Sequence, residues 1–167
     1  MSKLNEKIEE LTSSILIESD MYKIPVDIIK IAKLNDITVY EAEIGRNISG
    51  AIRYNKETKK FEIMVNKNDS KQRKRFTIAH EIGHFFLHNE LLKSDEVHID
   101  IMYRMPNDDE EEKKREKDVD YFAGALLMNK TLLTKVCAEN HMITELAEIF
   151  DVSITAMTVR LDILGLL

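Results

Sequence analysis

The chain has 167 residues, long enough to bury a core as one domain, and its 44% apolar and 32% charged residues are ordinary for a soluble globular protein. A net charge of −6 counts against a dedicated nucleic-acid or anionic-membrane binder, and a single cysteine, Cys137, excludes an internal disulfide framework. No apolar run is long enough to span a bilayer, and Met1 to Lys7 carries mixed charge with no apolar stretch after it, so no secretory pattern is present. These features predict a protein of the reducing cytoplasm. Cys137 lies in Leu133–Ala138, which reads as a helix with an apolar face, and is expected to be an inert, partly buried thiol rather than a nucleophile.

In chain order, residues 5–18 read as an amphipathic helix with Ile8, Leu11 and Ile15 on one stripe. Pro25 suits the first turn of a second helix over Val26 to Leu34. The period then changes. Ile37–Ala42, Ala51–Tyr54 and Phe61–Val65 are strand candidates, and the polar turn between the last two predicts a hairpin. Asp69 or Ser70 caps a long helix running to about His88. Val97–Tyr103 alternates like an edge strand, and Asp108–Asp118 opens a solvated helix that becomes apolar through Met128. Two or three helices finish the chain. The expected fold class is α+β, mostly helical, with a small antiparallel sheet beside the long helix and a C-terminal helical segment. Residues 1–140 would form the main domain, with 141–167 a helical pair packed on it.

The chemistry concentrates in Thr77-Ile78-Ala79-His80-Glu81-Ile82-Gly83-His84-Phe85-Phe86. Residues four apart share a helix face, so His80 and His84 can present two imidazole nitrogens to one zinc ion. Glu81 would then stand beside the metal as general base. Ile78, Ile82 and Phe85 form an opposite apolar face, which argues that the helix is buried, and buried His and Glu need partners. The alternative is two hydrogen-bonded core histidines beside a surface Glu81.

A catalytic zinc needs a third protein ligand. A third histidine six residues after His84 is absent, since Glu90 stands there. In Arg115 to Met128, the residues Val119, Phe122, Ala123 and Leu126 make an inward stripe that Glu116 joins three residues ahead, with Asp120 four after Glu116. We read Glu116 as third ligand and Asp120 as an acceptor that orients a ligand histidine. Against this, Glu116 could belong to a solvated charge run. Ala123 and Gly124 would allow this helix close approach to its neighbour.

These two segments, Arg75 to His88 and Glu116 to Met128, together resemble the ImmA/IrrE family of metallo-endopeptidases. The resemblance implies zinc on His80, His84 and Glu116, Glu81 as general base, and helix-turn-helix repressors as substrates. Val119 stands where the family has a small residue, and Asn129 where a proline often follows the Leu-Leu-Met run.

Other polar residues carry weaker signals. His88 continues the ladder from His84, but one helix cannot easily wrap three histidines around one small ion, so a supporting role is expected. Tyr103, His98 and His141 are candidate oxyanion donors. Lys71 to Arg75 is either a substrate or nucleic-acid patch or simply the solvated first turns of a helix. Thr144 to Leu161 resembles the layout of a helix-turn-helix, yet its second helix offers one base, Arg160, so packing or protein docking is preferred over DNA binding. The rival to a peptidase is a regulatory protein- or DNA-binding module with a structural zinc.

Overall fold

The computed structural model describes residues 2–45, 47–94, 98–101 and 109–167. Helix α1 (Lys3–Glu18) is capped by Ser2, whose side chain accepts from the Asn5 backbone N–H at 3.1 Å, and it buries Ile8, Ile15 and Leu16. Helix α2 (Ile28–Leu34) starts later than expected: Asp27, not Pro25, sets its first turn by accepting from the Lys30 N–H at 3.0 Å.

Strands β1 (Ile37–Ala42), β2 (Ile48–Asn55), β3 (Lys60–Asn66) and β4 (His98–Ile101) form one sheet in the order β1-β3-β2-β4. The expected β2–β3 hairpin is present, its turn closed by Asn55 Oδ1 accepting from the N–H groups of Glu57 and Thr58 at 3.0 and 3.1 Å. The fold class is α+β, but the sheet is mixed rather than wholly antiparallel, because β1 pairs parallel with β3, Ile37 opposite Phe61. Side chains alternate identically in both pairings, so periodicity could not separate them. Strand β2 begins three residues earlier than its apolar run because Gly50 sits under α3. A Cβ there would collide with Thr77 Cγ2 and lie 2.9 Å from the Met64 carbonyl oxygen. Of the alternating stretch 97–103, the backbone of 98–101 forms β4; Tyr103 and the His98 side chain lie outside the described residues.

Helix α3 (Lys71–Lys93) is capped by Ser70 rather than Asp69, with the Arg73 N–H on Ser70 Oγ at 3.2 Å. Its expected end near His88 falls on a break, where φ is −136° and ψ 24°, before the helical course resumes to Lys93. Ile78 and Ile82 are buried, and Phe85 meets Phe61 of the sheet edge-on at 4.9 Å. Helix α4 (Glu110–Leu127) is capped by Asp109 and has three glutamates in its first turn, which suits the helix dipole. Asn129 caps α5 (Lys130–Cys137) through the Thr131 and Leu132 N–H groups and donates to Ser13 Oγ at 2.9 Å. The residue standing in place of a proline thus does the capping and also ties α5 to α1. Cys137 is partly buried, and burial pushes its thiol pKa up, as befits an inert group.

Helices α6 (Ile143–Phe150) and α7 (Ile154–Leu164) are joined at Asp151, which adopts a left-handed conformation (φ 52°), and Ser153 caps α7. Leu146, Phe150, Met157 and Leu161 join the same hydrophobic core as residues of α1, the sheet, α3 and α4. Asp151 receives Lys71 Nζ at 2.6 Å and Gln72 Nε2 at 3.1 Å, and its carbonyl receives Arg75 Nε at 2.9 Å. Arg73 bonds Ser49, and Lys74 bonds Glu41. The basic run 71–75 therefore fastens the start of α3 to the sheet and to the α6–α7 turn, which explains cations at a helix N-terminus where the dipole disfavours them.

Arg160 is likewise structural. It is 2% exposed, ion-paired to Glu9 at 2.7 Å and bonded to the Met128 carbonyl at 3.0 Å, while Tyr121 donates to the same Glu9 at 2.8 Å. Among the described residues, no helix is long and apolar enough to cross a membrane.

Candidate metal centre

Helices α3 and α4 pack side by side, and Gly83 sets their distance. A Cβ on Gly83 would lie 2.8 Å from Val119 Cγ1 and 3.0 Å from Phe122 Cδ1. Phe86 stacks on Phe122 one turn further on, at 6.0 Å. Gly124 faces α7, where a Cβ would meet Arg160 Cδ at an ordinary 3.9 Å, so the approach there is not close enough to require a glycine. Gly83 was legible as an oddity, since a glycine inside a helix costs about 1 kcal/mol relative to alanine and asks for a packing reason.

Close packing at Val119 brings Glu116, one turn earlier on α4, onto the histidines of α3. His80 Nε2 and His84 Nε2 are 3.2 Å apart. Glu116 Oε2 lies 3.3 Å from the first and Oε1 lies 3.4 Å from the second. All three residues are buried, at 3, 4 and 5% exposure, so Glu116 is no part of a solvated run. His80, His84 and Glu116 could hold a metal ion. Glu81 follows the first histidine and is fully buried, which excludes the surface Glu of the alternative reading.

Each histidine is held from behind. Asp120 Oδ1 lies 2.9 Å from His80 Nδ1, and because a carboxylate only accepts, Nδ1 donates that bond and Nε2 is the ring nitrogen that faces Glu116 and His84. Asp120 does not face the apolar interior as its spacing suggested. Its side chain is 61% exposed, at the rim of the helix pair, and reaches His80 from there. His88 Nδ1 lies 3.4 Å from His84 Nδ1, so the third histidine of the ladder touches the second from the far side. Burial, followed by the Arg115 charge, lowers the pKa of His88 and keeps it neutral. His141 instead pairs with Glu139 and Glu145.

The electrostatics suit a cation. Burial opposes charge on His80, but its hydrogen bonds to Asp120 and Glu116 and the nearby Glu81 carboxylate prevail and raise its pKa to about 10. Surroundings that favour a proton this strongly favour a metal cation on the same nitrogen. The donor set fits such an ion: two imidazole nitrogens 3.2 Å apart, each facing one oxygen of the same carboxylate at 3.3 or 3.4 Å.

A model of the IrrE N-terminal-like domain, a peptidase family, matches residues 32–162, a span that contains both α3 and α4. The chain belongs to this family. The family is of the ImmA/IrrE metallopeptidase type. It is similar to metallopeptidase ImmA of Bacillus subtilis (strain 168), with 32% identity over 65 residues, 39% of this chain and 37% of that protein. In structure it is similar to a transcriptional regulator of Mycobacterium tuberculosis, with a TM-score of 0.69 and 19% identity over 93% of this chain and 46% of the other. At that identity the likeness concerns the fold. The matched stretches span less than half the length of either relative.

Proposed function

We propose that the chain is a zinc-dependent endopeptidase of the cytoplasm. His80, His84 and Glu116 would hold the metal, Glu81 would act as general base, and the substrate would be a protein of the helix-turn-helix repressor type. The supporting observation is the spacing of the donor atoms: the two histidine Nε2 atoms are 3.2 Å apart, and Glu116 Oε2 and Oε1 lie 3.3 and 3.4 Å from them. Tetrahedral zinc with bonds of about 2.0–2.1 Å needs ligand atoms roughly 3.3 Å apart, so this spacing suits it. The catalytic part falls within residues 1–140, and residues 141–167 serve as a docked helical pair.

When bound there, zinc supplies Lewis acidity, polarising a peptide carbonyl and making water acidic enough to attack near neutral pH. The chain's own residues do the rest. Glu81, enclosed beside His80, takes the proton of the attacking water and delivers it to the leaving amine. Asp120 holds His80 in the tautomer that keeps Nε2 free to ligate, and His88 steadies His84. The repressor substrate rests on the resemblance to the ImmA/IrrE family and on the structural neighbour's description as a transcriptional regulator.

The rival, a DNA-reading module with structural zinc, draws on the layout of α6 and α7. Those helices carry one base between them, Arg160, and it is buried on Glu9. Phosphate binding needs several exposed bases. Metal analysis by mass spectrometry on wild type, Glu116→Ala and Glu81→Gln tests the proposal. About one zinc per chain in wild type and Glu81→Gln, with marked loss in Glu116→Ala, is expected. Hydrolysis of a repressor substrate should fall by roughly 10²–10⁴-fold in Glu81→Gln. Full activity in that variant, or a zinc-free wild type, would sink the mechanism.

A further inference from the structure

A groove of about 490 Å³ opens where α3, α4 and α7 converge, beside the metal centre but outside it. Its α3 wall is Arg73 and Phe76, and Phe76 stands one helical turn, about 6 Å, before His80 on the same face. Its α4 wall includes Asp120, the residue bonded to His80, so the groove borders the histidine cluster through that side chain, while His80, His84 and Glu116 themselves do not line it. Met128, Val152, Ala156, Val159 and Ile163 make the rest of the lining largely apolar. Two of these also spread beyond the groove: Val159 is 53% and Ile163 44% exposed, one turn apart on α7.

The volume exceeds one side chain and suits two or three apolar side chains presented together. The open apolar rim on α7 does not suit an enclosed small molecule. At the α4 wall stands Lys117, three residues before Asp120 on the same face, an exposed cation that pairs with no acid among the described residues. An apolar trough with a cation at its lip recognises an amphipathic helix with an acidic residue at its edge.

We propose that this groove docks an amphipathic, acid-flanked helix of the protein substrate, so that the chain next to that helix is held along α3 at His80 and His84. The proposal rests on the peptidase reading for the word substrate, but not for the docking itself. It gives α6 and α7 a purpose: through Asp151 and Arg160 they are fixed rigidly enough to form one wall of the groove.

The test uses the full chain carrying Glu81→Gln and a fluorescein-labelled synthetic helix of roughly 18 residues, with leucines at helical spacing and glutamates beside them. A scrambled peptide of equal composition is the control. The helix should bind more tightly than the scramble, and Val159→Asp, at an exposed position, should weaken it about tenfold or more. Lys117→Glu should weaken the acidic helix and favour a version with lysines in place of glutamates. Equal binding of helix and scramble, or undiminished binding by Val159→Asp, overturns the groove. Displacement of the peptide by duplex DNA overturns it in favour of nucleic acid. Zinc content of the same samples separates the two readings: zinc without peptide binding refutes the groove alone, and peptide binding without zinc refutes the peptidase reading alone.

Discussion

Gly83 and Val119 touch where α3 and α4 pack, and a single added carbon on the glycine would come within 2.8 Å of Val119 Cγ1. This contact decides whether Glu116 reaches the histidines. Gly83→Ala should push the helices apart or force Val119 and Phe122 to shift, at about 1–3 kcal/mol, partly offset by the better helix propensity of alanine. Metal affinity should fall more than thermal stability does. A variant with unchanged affinity in a chelator competition would show that α4 can yield without moving Glu116.

Asp120 offers a cleaner probe, because its side chain is 61% exposed and contributes little to the core. Asp120→Ala should lower metal affinity by roughly 10–100-fold with almost no change in thermal unfolding. Asp120→Asn retains an oxygen that can accept from His80 Nδ1 and should recover much of that loss. Equal affinities in all three chains would mean that His80 keeps its orientation without Asp120.

The Glu9–Arg160 pair should behave as a buried ion pair does. Either Arg160→Ala or Glu9→Ala leaves an uncompensated charge beside Tyr121 and should cost about 3–5 kcal/mol in urea unfolding. The double change Glu9→Leu with Arg160→Met should cost far less than the sum of the single losses. Burial, and then the Glu9 carboxylate, pushes the Tyr121 hydroxyl up to about 12, so it stays a donor to Glu9 at all working pH values. Additive single and double costs would contradict the pairing.

Acid should loosen the α6–α7 turn. Burial works to raise the Asp151 pKa, but its bonds to Lys71 and Gln72 and the Arg75 charge outweigh it and hold the carboxyl below its ordinary 3.8. A depressed carboxylate contributes stability that is complete above its unfolded pKa and is lost as pH falls through the folded value. Asp151→Asn, which tolerates the left-handed backbone, should therefore cost about 1–3 kcal/mol at pH 7. The gap should close below pH 3.8. Stability curves of wild type and variant that stay parallel from pH 7 to pH 3 would exclude this role.

Much of the site was legible in the chain because it is local. His80, Glu81 and His84 fall within one helical turn and a half, and a period of 3.6 alone puts the two imidazoles on one face. Glu116 was legible for a different reason: a carboxylate on an apolar stripe demands a partner, and Glu116 is indeed buried, at 5% exposure. Asp120 does meet a histidine, His80, but from the exposed rim of the helix pair rather than from its apolar side. Helical spacing states which residues share a face, and it says nothing of how far a side chain at the edge of that face turns toward water.

The sequence by itself determined the helices, the hairpin, the cap at Ser153 and the histidine pair, because turn chemistry and periodicity act over a few residues. Tertiary structure alone decided the parallel seat of β1 beside β3, the contact at Gly83 that carries Glu116 to the histidines, and the conversion of Lys71, Arg75 and Arg160 from apparent binding charges into internal ties. Each of these joins residues far apart along the chain, and a pairing of that kind is selected by the packing of whole elements, whose geometry no local pattern encodes.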